Sequence, residues 1–223
     1  DLRMSRGLGD VYKRQKFIQN ISSQMEPTLN TLGASAKDLS AKAPQQAEQM
    51  QAQVAALKQF SDDIQELSLL ENSLTEPYEM GEVNAGTFCE NVMEKAKEFM
   101  KPDVTPSVNA PKLQVKTNKE QLERILLYLL KNAAFYTEQG RISLDFKKRG
   151  AHTHQFIITD TGTGISAEQQ ENLFKPFTQV KDLTTGDGLG LPICSLIATK
   201  MNGSLTLDTG YTKGCRFILE LHA

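Results

Sequence analysis

Phe156-Ile157-Ile158-Thr159-Asp160-Thr161-Gly162-Thr163-Gly164 is the stretch on which the reading of this chain turns. Four residues of strand character end in a carboxylate, and two glycines follow with one residue between them. A loop without Cβ atoms lets backbone N–H groups approach an anionic ligand closely. A carboxylate at the strand end can accept a hydrogen bond from an exocyclic amine, which favours adenine over guanine; taken alone, Asp160 reads equally well as a turn residue. A second cluster, Gly186-Asp187-Gly188-Leu189-Gly190-Leu191, leads into a helical segment whose N-terminus offers favourable potential to phosphate oxygens. Upstream, Asn132 sits at the polar edge of a helix carrying Leu122, Ile125, Leu126, Leu129 and Leu130. Its amide oxygen suits Mg²⁺, which takes oxygen ligands and keeps several waters and substrate phosphates. One glycine cluster is weak evidence, but two with Asn132 point to a bound nucleotide.

Outward from this centre, the pattern is mixed. Ile142 to Phe146 and Phe156 to Thr159 read as strands around a polar hairpin turn from Lys147 to His154. A helix from about Leu191 to Met201 stops at Asn202-Gly203, and strands Ser204 to Asp208 and Arg216 to Leu221 flank a turn at Gly210 to Gly214. Before them come a short strand near Tyr78 to Val83, a helix around Thr87 to Met100, and a stretch holding Pro102, Pro106 and Pro111. Thr117 reads as the N-cap of the Asn132 helix, which closes near Gly140. Hairpin-joined strands mixed with helices predict an α+β fold, a two-layer sandwich.

The N-terminal third has a different period. Phe17, Ile21, Met25, Leu29, Leu32 and Leu39, and then Met50, Val54, Leu57, Phe60, Ile64, Leu67 and Leu74, recur at helical spacing on either side of a polar segment with Pro44. They predict an antiparallel two-helix hairpin. Such a hairpin buries only part of its stripe, so a second copy completing a four-helix bundle is expected; the alternative is a hairpin lying on its own next domain. Domain boundaries are expected at 16–76 for the hairpin and 77–223 for the sandwich, divided at Glu76-Pro77. Residues 1–15 lack a period and read as an assembly scar.

Bulk properties exclude several classes. A net charge of -2 over 223 residues gives no reason to expect a nucleic-acid partner or an anionic membrane. No apolar run reaches a membrane span of roughly 20 residues, so a cytoplasmic location is expected, with any membrane anchor upstream of the first residue. Cys89, Cys194 and Cys215 form no paired motif and read as reduced thiols. His152 and His154 share a strand face in principle but are expected in a solvated turn rather than on a metal.

The motifs together resemble the ATP-binding domain of sensor histidine kinases, within the wider group of gyrase B, Hsp90 and MutL. Leu126-Leu127-Tyr128-Leu129-Leu130-Lys131-Asn132-Ala133 resembles the family's N box, and Asp160 to Ile165 its first glycine box. Leu173 to Phe177 resembles the F box, Gly186 to Leu191 the second glycine box, and Gly214-Cys215-Arg216-Phe217 the last glycine motif. The resemblance implies ATP and Mg²⁺ as ligands, with Asn132 holding the metal. The implied ATP-binding set is Asn132, Phe135, Tyr136, Asp160, Gly162, Gly164, Ile165, Gly186, Gly188, Leu189, Gly190 and Leu191. Phe174 and Phe177 would anchor a lid over residues 178–187. The hairpin resembles the family's dimerisation and phosphotransfer domain, implying a homodimer or a heterodimer with a related kinase, and a response regulator as partner.

Departures from the family pattern sort by role. Ser23 stands at the phosphoacceptor position and Gln24 at the acidic position beside it, while His152, His154 and His222 all lie in the other domain. Pro27 falls where the family has a phosphatase-associated threonine. Tyr128 occupies the polar N-box position where gyrase-like hydrolases place a water-activating glutamate, which argues against an independent ATPase. Phe135 replaces a frequent lysine, and Asp187 adds negative charge among the lid glycines. Groups that hold adenine and metal are retained, whereas groups that accept or polarise during transfer are altered. Two functions follow as expectations: a histidine-kinase-like two-component signalling protein that binds Mg-ATP, or a nucleotide-binding regulatory pseudokinase acting through dimerisation or docking.

Overall fold

The computed structural model describes residues 25–37, 43–150, 152–176 and 188–222. They divide into two compact units, one holding the described residues up to Ser73 with those of Lys175–Ile193, the other Leu74–Phe174 and Cys194 onward.

In the first unit, helix α1 spans 25–37 and helix α2 spans Pro44–Asn72. Leu29 and Ala36 of α1, and Ala47, Leu67 and Leu70 of α2, are buried. The two helices approach closely at Gly33, where a Cβ would lie 3.7 Å from Val54 Cγ1. Pro44 belongs to the first turn of α2 rather than to the connection. A proline is tolerated there because the first N–H groups of a helix have no intrahelical partner. The remaining apolar stripe is incompletely covered: Val54, Leu57, Phe60 and Ile64 are half-buried, and Leu69 is exposed.

The second unit is a two-layer α+β arrangement. Strands β2 (Val104–Asn109), β4 (Gly140–Lys148), β5 (Thr153–Asp160), β6 (Gly203–Leu207) and β7 (Arg216–His222) form one sheet in the order β2-β4-β5-β7-β6. All pairs are antiparallel except β2 with β4. Alternation puts Ile142, Leu144 and Phe146 with Phe156 and Ile158, and Phe217, Leu219 and Leu221, on one buried face. Helices α3 (Ala85–Lys97) and α4 (Lys119–Tyr136) pack on the sheet and supply Phe88, Val92, Leu122, Ile125, Leu126 and Leu129 to the same core. Each fully buried side chain of this size contributes roughly 1.5–3 kcal/mol relative to exposure. The opposite sheet face is a polar lattice: Gln155 donates to Glu220 at 2.7 Å, Arg216 donates to Thr159 at 3.2 Å and pairs with Asp208.

Four sequence expectations change. The proline-bearing stretch, given no element in the sequence reading, contains β2, whose Pro106 is accommodated because β2 is an edge strand, and it leads to β3 (Gln114–Thr117), paired with β1 (Gly81–Asn84). The N-cap of α4 is Asn118, whose side chain accepts from Gln121 N at 2.9 Å; Thr117 instead ends β3. Gly140 opens β4 at φ +120° rather than merely closing a helix. The hairpin turn is shorter than Lys147 to His154, because the cross-strand register continues to Lys148 opposite His154. Helix α5 (Ala167–Gln170) is a single turn fixed by a capping box between Ser166 and Gln169, and α6 spans Gly190–Lys200.

Candidate functional site

Strand β5 carries Asp160 to the end of the sheet, where its side chain is only 4% exposed. Two backbone amides hold one carboxylate oxygen: Gly162 N donates to Oδ1 at 2.9 Å and Cys215 N at 3.1 Å. Among the described residues no donor reaches Oδ2. Burial pushes the carboxyl up from its ordinary value, and the two amide donors oppose that shift. The result is an oriented acceptor with one oxygen fixed by two amides and the other without a described partner, at the edge of the apolar core.

Glycines surround this carboxylate because a Cβ has no room. At Gly214 (φ +144°) it would fall 2.2 Å from Asp160 O and 2.9 Å from Oδ1. At Gly162 it would meet the Tyr136 carbonyl oxygen at 2.4 Å and Thr137 Oγ1 at 2.9 Å. Thr163 N donates to that same Tyr136 carbonyl at 3.3 Å, so the first glycine loop is strapped to the C-terminal end of α4. Gly164 takes φ +73°, and Ile165 gives its carbonyl to Gln170 Nε2 at 2.8 Å, tying the loop to α5.

Helix α4 brings Tyr128, Asn132 and Tyr136 to one row at i, i+4 and i+8. Tyr128 and Asn132 are half-buried. Phe135 and Tyr136 are 59% and 54% exposed, in an edge-to-face pair with centroids 4.9 Å apart. They help to line a cavity of about 430 Å³. Among the described residues no cluster of three metal-ligating His, Cys, Asp or Glu side chains occurs. A cation here would therefore depend on a carboxamide such as that of Asn132 together with ligand oxygens and water, an arrangement that suits Mg²⁺.

The second glycine cluster is described by itself. Gly188 has φ +69°, and Leu189 O accepts the Ile193 N–H at 2.9 Å as α6 begins at Gly190. Gly188 precedes the helix as expected, Gly190 is its first residue, and Pro192 occupies the first turn. Gly188, Leu189, Gly190 and Leu191 belong to the first unit, whereas Asn132, Phe135, Tyr136, Asp160, Gly162, Gly164 and Ile165 belong to the second. Ser23, Gln24, Phe177, Gly186, Asp187 and the rest of the lid lie outside the described residues.

Three participants escaped the sequence reading. The Cys215 amide orients Asp160 across 55 residues of sequence, and its buried thiol is pushed up to about 12 by desolvation and by the neighbouring Asp160. Thr137, fully buried with no described partner for Oγ1, lies beneath Gly162. Phe99 lines the cavity with Phe135. Only the first left a sequence signal, as the glycine preceding Cys215. His154 corrects an expectation: it is 6% exposed rather than solvated, stacks on Phe146 at 5.8 Å and leaves Nδ1 without a described partner. Among the described residues no helix is long and apolar enough to cross a membrane.

Comparison with known proteins agrees with this geometry. Residues 117–223 match the family described as histidine kinase-, DNA gyrase B- and HSP90-like ATPase. The aerobic respiration control sensor protein ArcB of Escherichia coli is 28% identical over 138 residues, covering 60% of this chain and 18% of that protein. The sensor histidine kinase RppB of Synechocystis is 35% identical over 126 residues, covering 53% of this chain and 27% of that protein. The chain thus spans only about a fifth to a quarter of the length of these curated relatives. Among solved structures, full-length ShkA in complex with AMPPNP has a TM-score of 0.72 at 22% identity, covering 93% of this chain and 46% of that one. The Acinetobacter baumannii histidine kinase AdeS has a TM-score of 0.65 at 20% identity, with 89% and 96% covered. At these identities the structural likenesses speak to fold alone. The match over residues 117–223, together with these sensor-kinase relatives, supports a histidine kinase-like ATPase core in this part of the chain.

Proposed function

We propose that this chain is a histidine-kinase-like two-component signalling protein whose sandwich unit binds Mg-ATP. The observation that carries the reading is Asp160: a buried carboxylate with Oδ1 occupied by two backbone amides and Oδ2 open. In this reading Oδ2 accepts the adenine amine, and Phe135 and Tyr136 flank the nucleoside. Gly162, Gly164 and Ile165 bring backbone close to the ligand. Asn132 would hold Mg²⁺ through its amide oxygen, and Gly186 and Gly188–Leu191 would lie along the phosphates. ATP, when bound, supplies the phosphoryl group; the residues of this chain bind, orient and exclude water.

Residues 16–76 act in this proposal as a dimerisation hairpin and 77–223 as the ATP-binding domain. The half-buried Val54, Leu57, Phe60 and Ile64 support a second helical pair, from another copy or from a related kinase, completing a four-helix bundle. A response regulator is the downstream partner, and the setting is cytoplasmic.

The acceptor is the point of difference. The chain has three histidines, all beyond residue 150, and Ser23 stands at the acceptor position. A serine phosphate is a stable ester and a poor donor to an aspartate, so the acceptor in this reading is a histidine of a partner chain. A second reading is a regulatory pseudokinase that binds nucleotide without transferring it, supported by Ser23, Tyr128 and Phe135 standing where the family has groups that accept or polarise during transfer. Incubation with γ-labelled ATP, alone and with a histidine-bearing partner kinase, separates the two. Acid-labile label on the partner supports the transfer reading, and label in neither mixture leaves the regulatory one.

A further inference from the structure

We infer that Phe135 is a specificity-determining residue that makes the nucleotide site read the flat nucleoside more strongly than the phosphate charge. The inference rests on the nucleotide-binding reading above and adds what part of the ligand supplies the affinity. Three of the large apolar side chains most exposed among the described residues, Phe99, Phe135 and Tyr136, gather at one cavity of about 430 Å³. Aromatic surface left in water at one concave spot marks a place where another flat, apolar surface is received. The cavity reaches the first glycine loop through Thr163, whose N–H donates to the Tyr136 carbonyl at 3.3 Å.

The electrostatics of the same wall disfavour an anion. Phe135 and Tyr136 are the last two residues of α4, and no basic residue lies in that last turn. A helix C-terminus carries partial negative charge, which repels phosphate unless a cation offsets it. The nearby lysines are engaged: Lys101 pairs with Glu138, and Lys131 sits over the Phe99 ring at 4.2 Å from its centroid. Phe135 follows Asn132 by three residues, one turn along the helix, so a cation at its position would add attraction for an anionic ligand beside the proposed metal residue. A phenyl ring there offers stacking and no charge.

The test is a calorimetric titration of adenosine and of Mg-ATP into the wild-type chain, Phe135→Leu and Phe135→Lys. Adenosine should bind the wild type, and Phe135→Leu should weaken adenosine and Mg-ATP alike, by about tenfold, the scale of one lost base–aromatic stack. Phe135→Lys should weaken adenosine by a similar factor while restoring Mg-ATP to wild-type affinity or better. Melting temperatures of the variants should stay near that of the wild type, since the ring is largely exposed. Mg-ATP binding without adenosine binding, or adenosine binding unchanged in Phe135→Leu, overturns the inference and leaves the nucleotide reading intact. Absence of both ligands from the wild type overturns both.

Discussion

The two ends of strand β5 each bury an ionisable side chain on the core face of the same sheet, and they treat it in opposite ways. Asp160 at one end is held by amides from Gly162 and Cys215 inside a cage of glycines. His154 at the other stacks on Phe146 between Lys148 and Leu221 with its Nδ1 unpartnered among the described residues. A buried polar group that is oriented by fixed donors and still keeps one acceptor free is equipped for a ligand. A buried polar group with no partner lowers stability and recognises nothing. Burial alone therefore does not mark a site, and the accounting of donors and acceptors does.

Glycine substitution should break the comparison most sharply. Gly214 and Gly150 both have positive φ, but a Cβ on Gly214 collides with Asp160 whereas one on Gly150 meets nothing within 4 Å among the described residues. Gly214→Ala should cost about 3 kcal/mol or more, and Gly150→Ala only about 1 kcal/mol, read by urea unfolding. Equal losses would mean that the cage around Asp160 is not tight.

A smaller effect is expected at the hairpin end. His154→Phe removes the orphaned nitrogen and keeps the ring stack, and should raise stability by about 1 kcal/mol at neutral pH. Its pH dependence has a definite sign. Burial, with Lys148 and His152 nearby, lowers the folded-state value of His154 below 6.5. The stability tied to its neutral form is fully present above 6.5 and is lost as pH falls through that lower folded value. Thermal melts from pH 7 to 5 should thus show a slope in the wild type that His154→Phe reduces.

Asp160 should give the slope of opposite sign and the least conspicuous signal. Its folded-state value is raised above 3.8 by desolvation, so its contribution is fully present below 3.8 and is lost as pH rises through the folded value. Asp160→Asn should flatten that segment of the stability curve. A steeper curve in the variant would mean that the two amide donors outweigh burial.

The sequence was most informative where local chemistry and long-range packing agree. The run from Phe156 to Gly164, the Asn132 helix and the Asn202-Gly203 stop are legible because periodicity and missing side chains are local signals. Strand β2 was hidden because Pro106 argues against a strand unless its edge position is known, and edge position is a property of the assembled sheet. His154 was misread as turn because polar residues flank it, although cross-strand pairing carries the hairpin to Lys148. The Cys215 amide could not be seen as a partner of Asp160, since only the β5–β7 pairing brings them together.

The central claim is that the open oxygen of Asp160 receives an adenine nucleotide. Calorimetric titration of Mg-ATP into the wild-type chain and Asp160→Ala tests it most directly, with a melting curve to show that the variant remains folded. The account predicts saturable one-site binding to the wild type and a loss of about 100-fold or more in the variant, the scale of a buried, oriented hydrogen bond left unmade. Equal affinity in a folded Asp160→Ala, or no binding to either protein, would contradict it.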